Sequence, residues 1–227
     1  MMRSMGGVVS QAGHLWGAAA TSLAGLLGAG GCGICGAQAP SGLCVGCAAT
    51  LAPPVGDLHI AGVAHTWALL DYAGARDLVL ALKSGDRRLV QAVAVAMASE
   101  LSSADPFTDV LCPDTVITWA PTSAARARQR GGDQAEVLAR ALGECTGMRC
   151  RRLLRRAPGS PPQHGRSAAA RRQGPVFACV ATPGSSVVVV DDVMTTGSTM
   201  AAAAQVLRIR NPQCVVGAMA MAQSGAS

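Results

Sequence analysis

Residues 187–200, VVVVDDVMTTGSTM, constrain the fold more than any other stretch of this chain. An uninterrupted β-branched run reads as a buried strand, and it leads straight into two acids, then a hydroxyl-rich loop around Gly197, then a helical pattern over residues 199–210. The same alternation recurs elsewhere. Residues 59–72 read as one or two strands, 116–120 as a short strand ending at Pro121, and 214–221 as a final strand. Residues 76–82 and 87–101 carry apolar positions at helical spacing on either side of a turn at 83–86, and 133–142 read as a helix entered through Gly131 and Gly132. Residues 155–165 read as a Pro- and Gly-rich linker. Strands alternating with helices require parallel βαβ units with right-handed crossovers, so the expected fold is α/β, a parallel sheet flanked by helices.

Composition narrows the class. With 227 residues, 50% of them apolar and 14% charged, the chain can bury a sizeable core, which excludes a disordered protein; no glycine period supports a collagen. The net charge of +6 rests on eighteen Arg and one Lys, and eight of the Arg fall within residues 149–172, a stretch without an acid. A field so localised points to an anionic partner, while aromatics at 3% leave little surface for stacking bases, so a small phosphorylated ligand fits better than nucleic acid. Near the N-terminus Arg3 precedes an apolar stretch at 15–29, too short and glycine-rich to span a bilayer. Its positive region is thin for a secretory signal, so it reads as an amphipathic helix over residues 8–27, in a cytoplasmic protein without a membrane span.

Nine cysteines are an odd count and do not read as a disulfide framework. Cys32, Cys35, Cys44 and Cys47 form CxxC, eight residues, CxxC, with Gly33, Gly36, Gly42 and Gly46 around them. Four thiolates so spaced can close a tetrahedral shell on one zinc with no room for water, which makes the metal structural. A single redox CxxC is the alternative, but that motif opens a helix after a strand and is not doubled. Cys112, Cys145, Cys150, Cys179 and Cys214 are scattered and read as small buried hydrophobes. The expected division is an N-terminal helix and zinc knob over 1–54 and one α/β domain over 55–227.

Strand carboxyl ends beside helix amino ends are where open α/β sheets bind ligands. Thr195, Thr196, Ser198 and Thr199 can hydrogen-bond a phosphate, and Gly197 lets the backbone approach it. Carboxylates repel phosphate, so Asp191 and Asp192 make sense if the phosphate is carried on a sugar whose vicinal hydroxyls donate to them.

The sequence DDVMTTGST resembles the PRPP-binding signature of type I phosphoribosyltransferases. Behind a four-cysteine knob, it is similar to the ComF family of zinc-ribbon phosphoribosyltransferase-like proteins. Tyr72-Ala73-Gly74 leading to Leu82-Lys83, the strand ending at Pro121, Arg130-Gly131 with Gln134, and Gln163 with Phe177 follow in that family's order. The chain departs from it at Gly132 and Asp133, where the family usually has RGFNQ. Trp119-Ala120-Pro121 replaces PVP, and residues 170–174 replace the ERxxN pattern.

The resemblance implies that Asp191 and Asp192 hold the ribose hydroxyls and that Thr195, Thr196, Gly197, Ser198 and Thr199 hold the 5-phosphate. It also implies that a loop at 121–132 faces pyrophosphate through Arg130 and the Gly131 amide, with residues 151–172 as a cationic lid. Asp191, Asp192 and Arg130 are then the catalytic candidates, with Mg²⁺ bound alongside PRPP. The expected function is transfer or hydrolysis of the phosphoribosyl group with release of pyrophosphate. Two other readings stay open: an accessory protein in DNA uptake and competence, contacting nucleic acid or DNA-uptake proteins, and a non-catalytic PRPP sensor. A homodimer is a further expectation.

Overall fold

The structure is a computed structural model that describes residues 30–54, 56, 58–103, 110–157 and 175–224. The expected helix at 8–27 lies outside the described residues. Five strands, β1 (His65–Asp71), β2 (Val116–Trp119), β3 (Arg149–Cys150), β6 (Ser186–Met194) and β7 (Val215–Gln223), make one sheet in the order β1-β7-β6-β2-β3. Every pairing in it is parallel. A separate antiparallel pair, β4 (Leu154–Arg156) with β5 (Phe177–Cys179), flanks it. The helices are α1 (Val45–Ala49), α2 (Tyr72–Leu82), α3 (Arg87–Ser102), α4 (Ala124–Arg130), α5 (Gln134–Thr146) and α6 (Ser198–Arg210).

Local chemistry explains where the helices start. Asp71 ends β1 and accepts from the Ala73 and Gly74 N–H groups at 3.0 and 3.4 Å, so α2 begins at once and takes Tyr72 out of the expected strand. Asp86 caps α3 through the Arg88 N–H at 2.9 Å and pairs with the Arg88 guanidinium at the same distance. That guanidinium holds the Asp86 carboxyl below its usual range. Helix α3 then buries Leu89, Val93, Met97 and Leu101 at intervals of four, with Val90 and Ala94 filling the same face.

Two cores result, one on each sheet face. Val188 and Val190 of β6, with Met219 and Met221 of β7, face the buried sides of α2, α3 and α5. Val187 and Val189, with Val216, Ala218 and Ala220, face α6 and the β4–β5 pair. The period-2 alternation along β6 divides its valines between the cores, so the strand is buried on both sides, as a parallel sheet demands.

Three sequence expectations are revised. Strand β6 does not stop at the valines, because Asp191 and Val193 pair with Ala220 and Ala222 of β7 and carry it to Met194. Residues 121–132, read as a loop, contain α4; Ser123 Oγ accepts from the Arg126 N–H at 3.3 Å and Gly131 ends the helix at φ +73°. Arg155 and Arg156, read as linker, lie on β4, and residues 158–174 are outside the described residues.

The cysteine knob packs on this body. Cys32, Ala39, Leu43 and Leu51 belong to the same apolar cluster as Leu89 and Val93. Gly42, at φ +81°, lies so close to α3 that an added Cβ would meet the Leu89 nitrogen at 2.8 Å. No helix among the described residues is long and apolar enough to cross a membrane.

Candidate functional site

A cavity of about 200 Å³ opens at the carboxyl ends of β2 and β6. From β6 and the turn after it come Asp191, Asp192, Thr195 and Gly197; from the start of α6, Ser198 and Thr199; from the other side, Pro121, Thr122, Arg126, Asp133 and Gln134. Arg156 of β4 completes the rim. The register holds the two halves together: Trp119 pairs with Val190, and the Ala120 N–H donates to the Val190 carbonyl at 2.9 Å.

The turn into α6 is shaped to receive an anion. Gly197 is its N-cap at φ +70° and makes no side-chain cap bond; the Ser198 N–H donates to Thr196 Oγ1 at a long 3.5 Å, and the amides that follow it in the first turn are left to a ligand. An added Cβ on Gly197 would meet Ile60 Cγ1 at 2.6 Å, which makes Ile60 the buttress under the turn. Thr196 Oγ1 donates to Ser198 Oγ at 3.2 Å. Opposite, Arg126 Nη2 and Gln134 Nε2 are buried donors without a hydrogen-bond partner among the described residues. Buried donors are seldom left unpaired, so two beside one cavity signal that a ligand acceptor belongs between them.

Acids dominate the cavity floor. Asp191 is drawn out of water and lies against Asp192, so its carboxyl is pushed well above its usual range, with Asp133 adding to the effect. The Asp192 N–H donates to Asp191 Oδ1 at 2.8 Å, and the Val193 N–H to Asp192 Oδ1 at 2.9 Å. Burial also raises Asp133, and the Thr122 and Ala135 amides only partly offset it.

The second site is the cysteine quartet. The sulfurs of Cys32, Cys35, Cys44 and Cys47 lie within 4.8 Å of one another, with Cys35 and Cys44 at 3.6 Å. Four thiolates on a tetrahedral ion at about 2.3 Å stand roughly 3.8 Å apart, so the quartet is compatible with a metal such as zinc. Burial opposes ionisation of Cys32, but the backbone amides of Cys35, Cys44 and Ile34 outweigh it and bring the thiol down to about 6. Hydrogen bonding with Cys35, followed by burial, pushes Cys47 up. The quartet is the one such ligand cluster among the described residues.

Residues 128–226 match the phosphoribosyl transferase domain family. Among curated proteins none matches the chain. The phosphoribosyl transferase domain match begins inside α4 and takes in α5, β3 to β6, α6 and β7, leaving the knob, β1, α2, α3 and β2 outside it. Its span holds the whole DDVMTTGST segment and the Asp133–Gln134 side of the cavity.

Of the residues singled out in the sequence, Asp191, Asp192, Thr195, Gly197, Ser198 and Thr199 line the cavity together. Thr196 does not line it and acts through Ser198. Gly131 is the exposed end of α4, away from the lining, and the Arg130 side chain lies outside the described residues. Arg126 and Arg156 fall within the loop and the cationic stretch that the sequence sets against pyrophosphate, though neither is singled out by it, and Asp133 and Gln134 lie outside both. For Arg126 the signal was present, since Ser123 followed by AARARQR and Gly131 has the cap, composition and stop of a short helix, and Arg126 and Arg128, two positions apart, cannot face the same side of it.

Proposed function

We propose that the protein binds 5-phosphoribosyl 1-pyrophosphate (PRPP) with Mg²⁺ and transfers its phosphoribosyl group to an acceptor or to water, releasing pyrophosphate. The observation that carries this reading is the pairing of an uncapped, hydroxyl-lined helix start with two adjacent acids on one side, and unpartnered Arg126 and Gln134 donors on the other. A phosphate, a diol and a second anion spaced along one ligand would use all three.

The roles follow from the chemistry. The 5-phosphate accepts from the α6 amides and from the hydroxyls of Thr195, Ser198 and Thr199. Asp191 holds its proton to unusually high pH, so the aspartate pair offers a donor as well as acceptors to the two ribose hydroxyls. As the anomeric C–O bond breaks, positive charge grows on the ribose and negative charge on pyrophosphate. Arg126 and Gln134 donate to the departing group, and the incoming nucleophile forms the new bond at the same carbon. By the family resemblance Arg130 joins them, and so would the Gly131 amide once released from the Arg128 carbonyl at the end of α4. Mg²⁺ bound together with PRPP would supply further neutralisation of the departing group. Cys32, Cys35, Cys44 and Cys47 hold zinc as a structural ion in a cytoplasmic protein.

Calorimetric titration tests the reading. PRPP with Mg²⁺ is expected to bind far more tightly than inorganic phosphate, and Asp192→Asn is expected to lose roughly ten- to a hundredfold of that affinity. Equal binding of PRPP and phosphate reduces the site to an anion-holding helix end. A screen of acceptor bases, and of water alone, for pyrophosphate release then separates transfer from hydrolysis.

A further inference from the structure

Asp133 is a cavity acid that the diol reading does not use. It stands at the N-cap of α5, where the Ala135 amide favours its charged form without closing a regular side-chain cap bond. Its Oδ2 accepts instead from the Thr122 N–H, 2.8 Å away and eleven positions earlier in the chain. Everything between those two residues is the excursion that carries α4. Within it the Gly132 N–H donates to the Ala127 carbonyl at 2.9 Å, so α4 is folded back on its own end while the Asp133 carboxylate joins the excursion's two feet. Arg126 projects from inside this ring, and Gln134 follows directly on Asp133. The carboxylate therefore fixes the spacing of the two unpartnered donors.

A neutral amide oxygen would make the same bond, so the negative charge must be explained separately. Asp133 lies in the cavity that has just been assigned a polyanion. The groups facing it are the Thr122 amide from the loop, the Ala135 amide and Glu136 from its own helix, and Asp191 and Asp192 from β6, with Arg126 and Arg156 also lining the cavity. Burial, then the charges of Glu136 and Asp192, oppose its ionisation. An incoming anion opposes it further.

We propose that Asp133 is a positioning residue with two separable actions: its side chain ties the Arg126 loop to α5, and its charge weakens anion binding as pH rises. The proposal rests on the reading that the pyrophosphate end of the ligand lies toward α4. The sign is fixed by linkage. An anion prefers protonated Asp133, so its affinity is highest below the folded-state pKa, which lies above the ordinary carboxylate value, and falls as pH rises through it.

The test uses inorganic pyrophosphate and PRPP as probes on the full chain, with Asp133→Asn and Asp133→Ala variants whose retained fold is checked by thermal unfolding. Affinity ratios between variants at one pH cancel the ligand's own ionisation. Asp133→Asn keeps the tether and drops the charge, so it is expected to bind pyrophosphate about tenfold more tightly than wild type at pH 8, the ratio closing toward one as pH is lowered toward the ordinary carboxylate range. Asp133→Ala loses the tether as well and is expected to bind about tenfold more weakly than Asp133→Asn throughout. A pH-independent ratio of Asp133→Asn to wild type, equal affinities of the two variants, or no pyrophosphate binding by wild type overturns the proposal. If the variants follow the expected order with pyrophosphate while PRPP binds no better than phosphate, the Asp133 role stands and the phosphoribosyl reading falls. If PRPP is bound selectively and the variants are indistinguishable, the reverse holds.

Discussion

Asp191 carries a cost that its neighbours would not choose. Its carboxyl is pushed well above the usual range by burial and by Asp192, so the folded state binds a proton more tightly there than the unfolded chain does. Stability from this group is full below the unfolded pKa near 4 and declines as pH rises through the folded one. Asp191→Asn, which keeps an acceptor for the Asp192 N–H, is therefore expected to melt above wild type at pH 7, with the difference shrinking toward pH 4, while PRPP binding is weakened less than by Asp192→Asn. Melting curves over that pH range check it. Gly197 is constrained in the opposite sense: at φ +70°, with Ile60 Cγ1 2.6 Å from where a Cβ would stand, Gly197→Ala should cost about 1–3 kcal/mol and weaken phosphate binding together. Denaturant unfolding and a phosphate titration of the same sample would show both losses.

At the level of elements, the sequence was most legible where one residue type decides the outcome. Four consecutive valines can hardly be other than a buried strand, and Asp86 ahead of an amphipathic run marks the start of α3. What was not legible depends on partners far along the chain. The extension of β6 through Asp191 and Asp192 is enforced by pairing with β7, which no local pattern reveals. Helix α4 was hidden by the glycines and proline that bound it, and with it the choice among its arginines. Arg126 reaches the cavity, whereas Arg128 is exposed. Arg126→Ala is accordingly expected to lower pyrophosphate affinity about tenfold or more, and Arg128→Ala to leave it within about twofold, in parallel titrations. Equal effects would mean that the cationic field, not the placed donor, holds the anion.

For the whole molecule, the cysteine quartet and the sheet share one apolar cluster, with Gly42 pressed against Leu89. Removing the metal should therefore lower the stability of the entire body, since binding energy at such a site is folding energy. Chelator treatment, or Cys35→Ser, is expected to depress the melting temperature in a single transition; a separate low-temperature step with the main one unmoved would make the knob an independent appendage. The strand order carries a further consequence for how the chain is made. Strand β1 is the earliest of the five strands in the sequence, yet its neighbour in the sheet is β7, the latest. Until β7 has been synthesised, β1 has no parallel partner and β6 is open on one side, so the aspartates at its end are not yet set. The nascent protein must wait with β1 unpaired, and the ligand site, built on the central strand of the sheet, is completed only when the earliest and latest of its five strands meet.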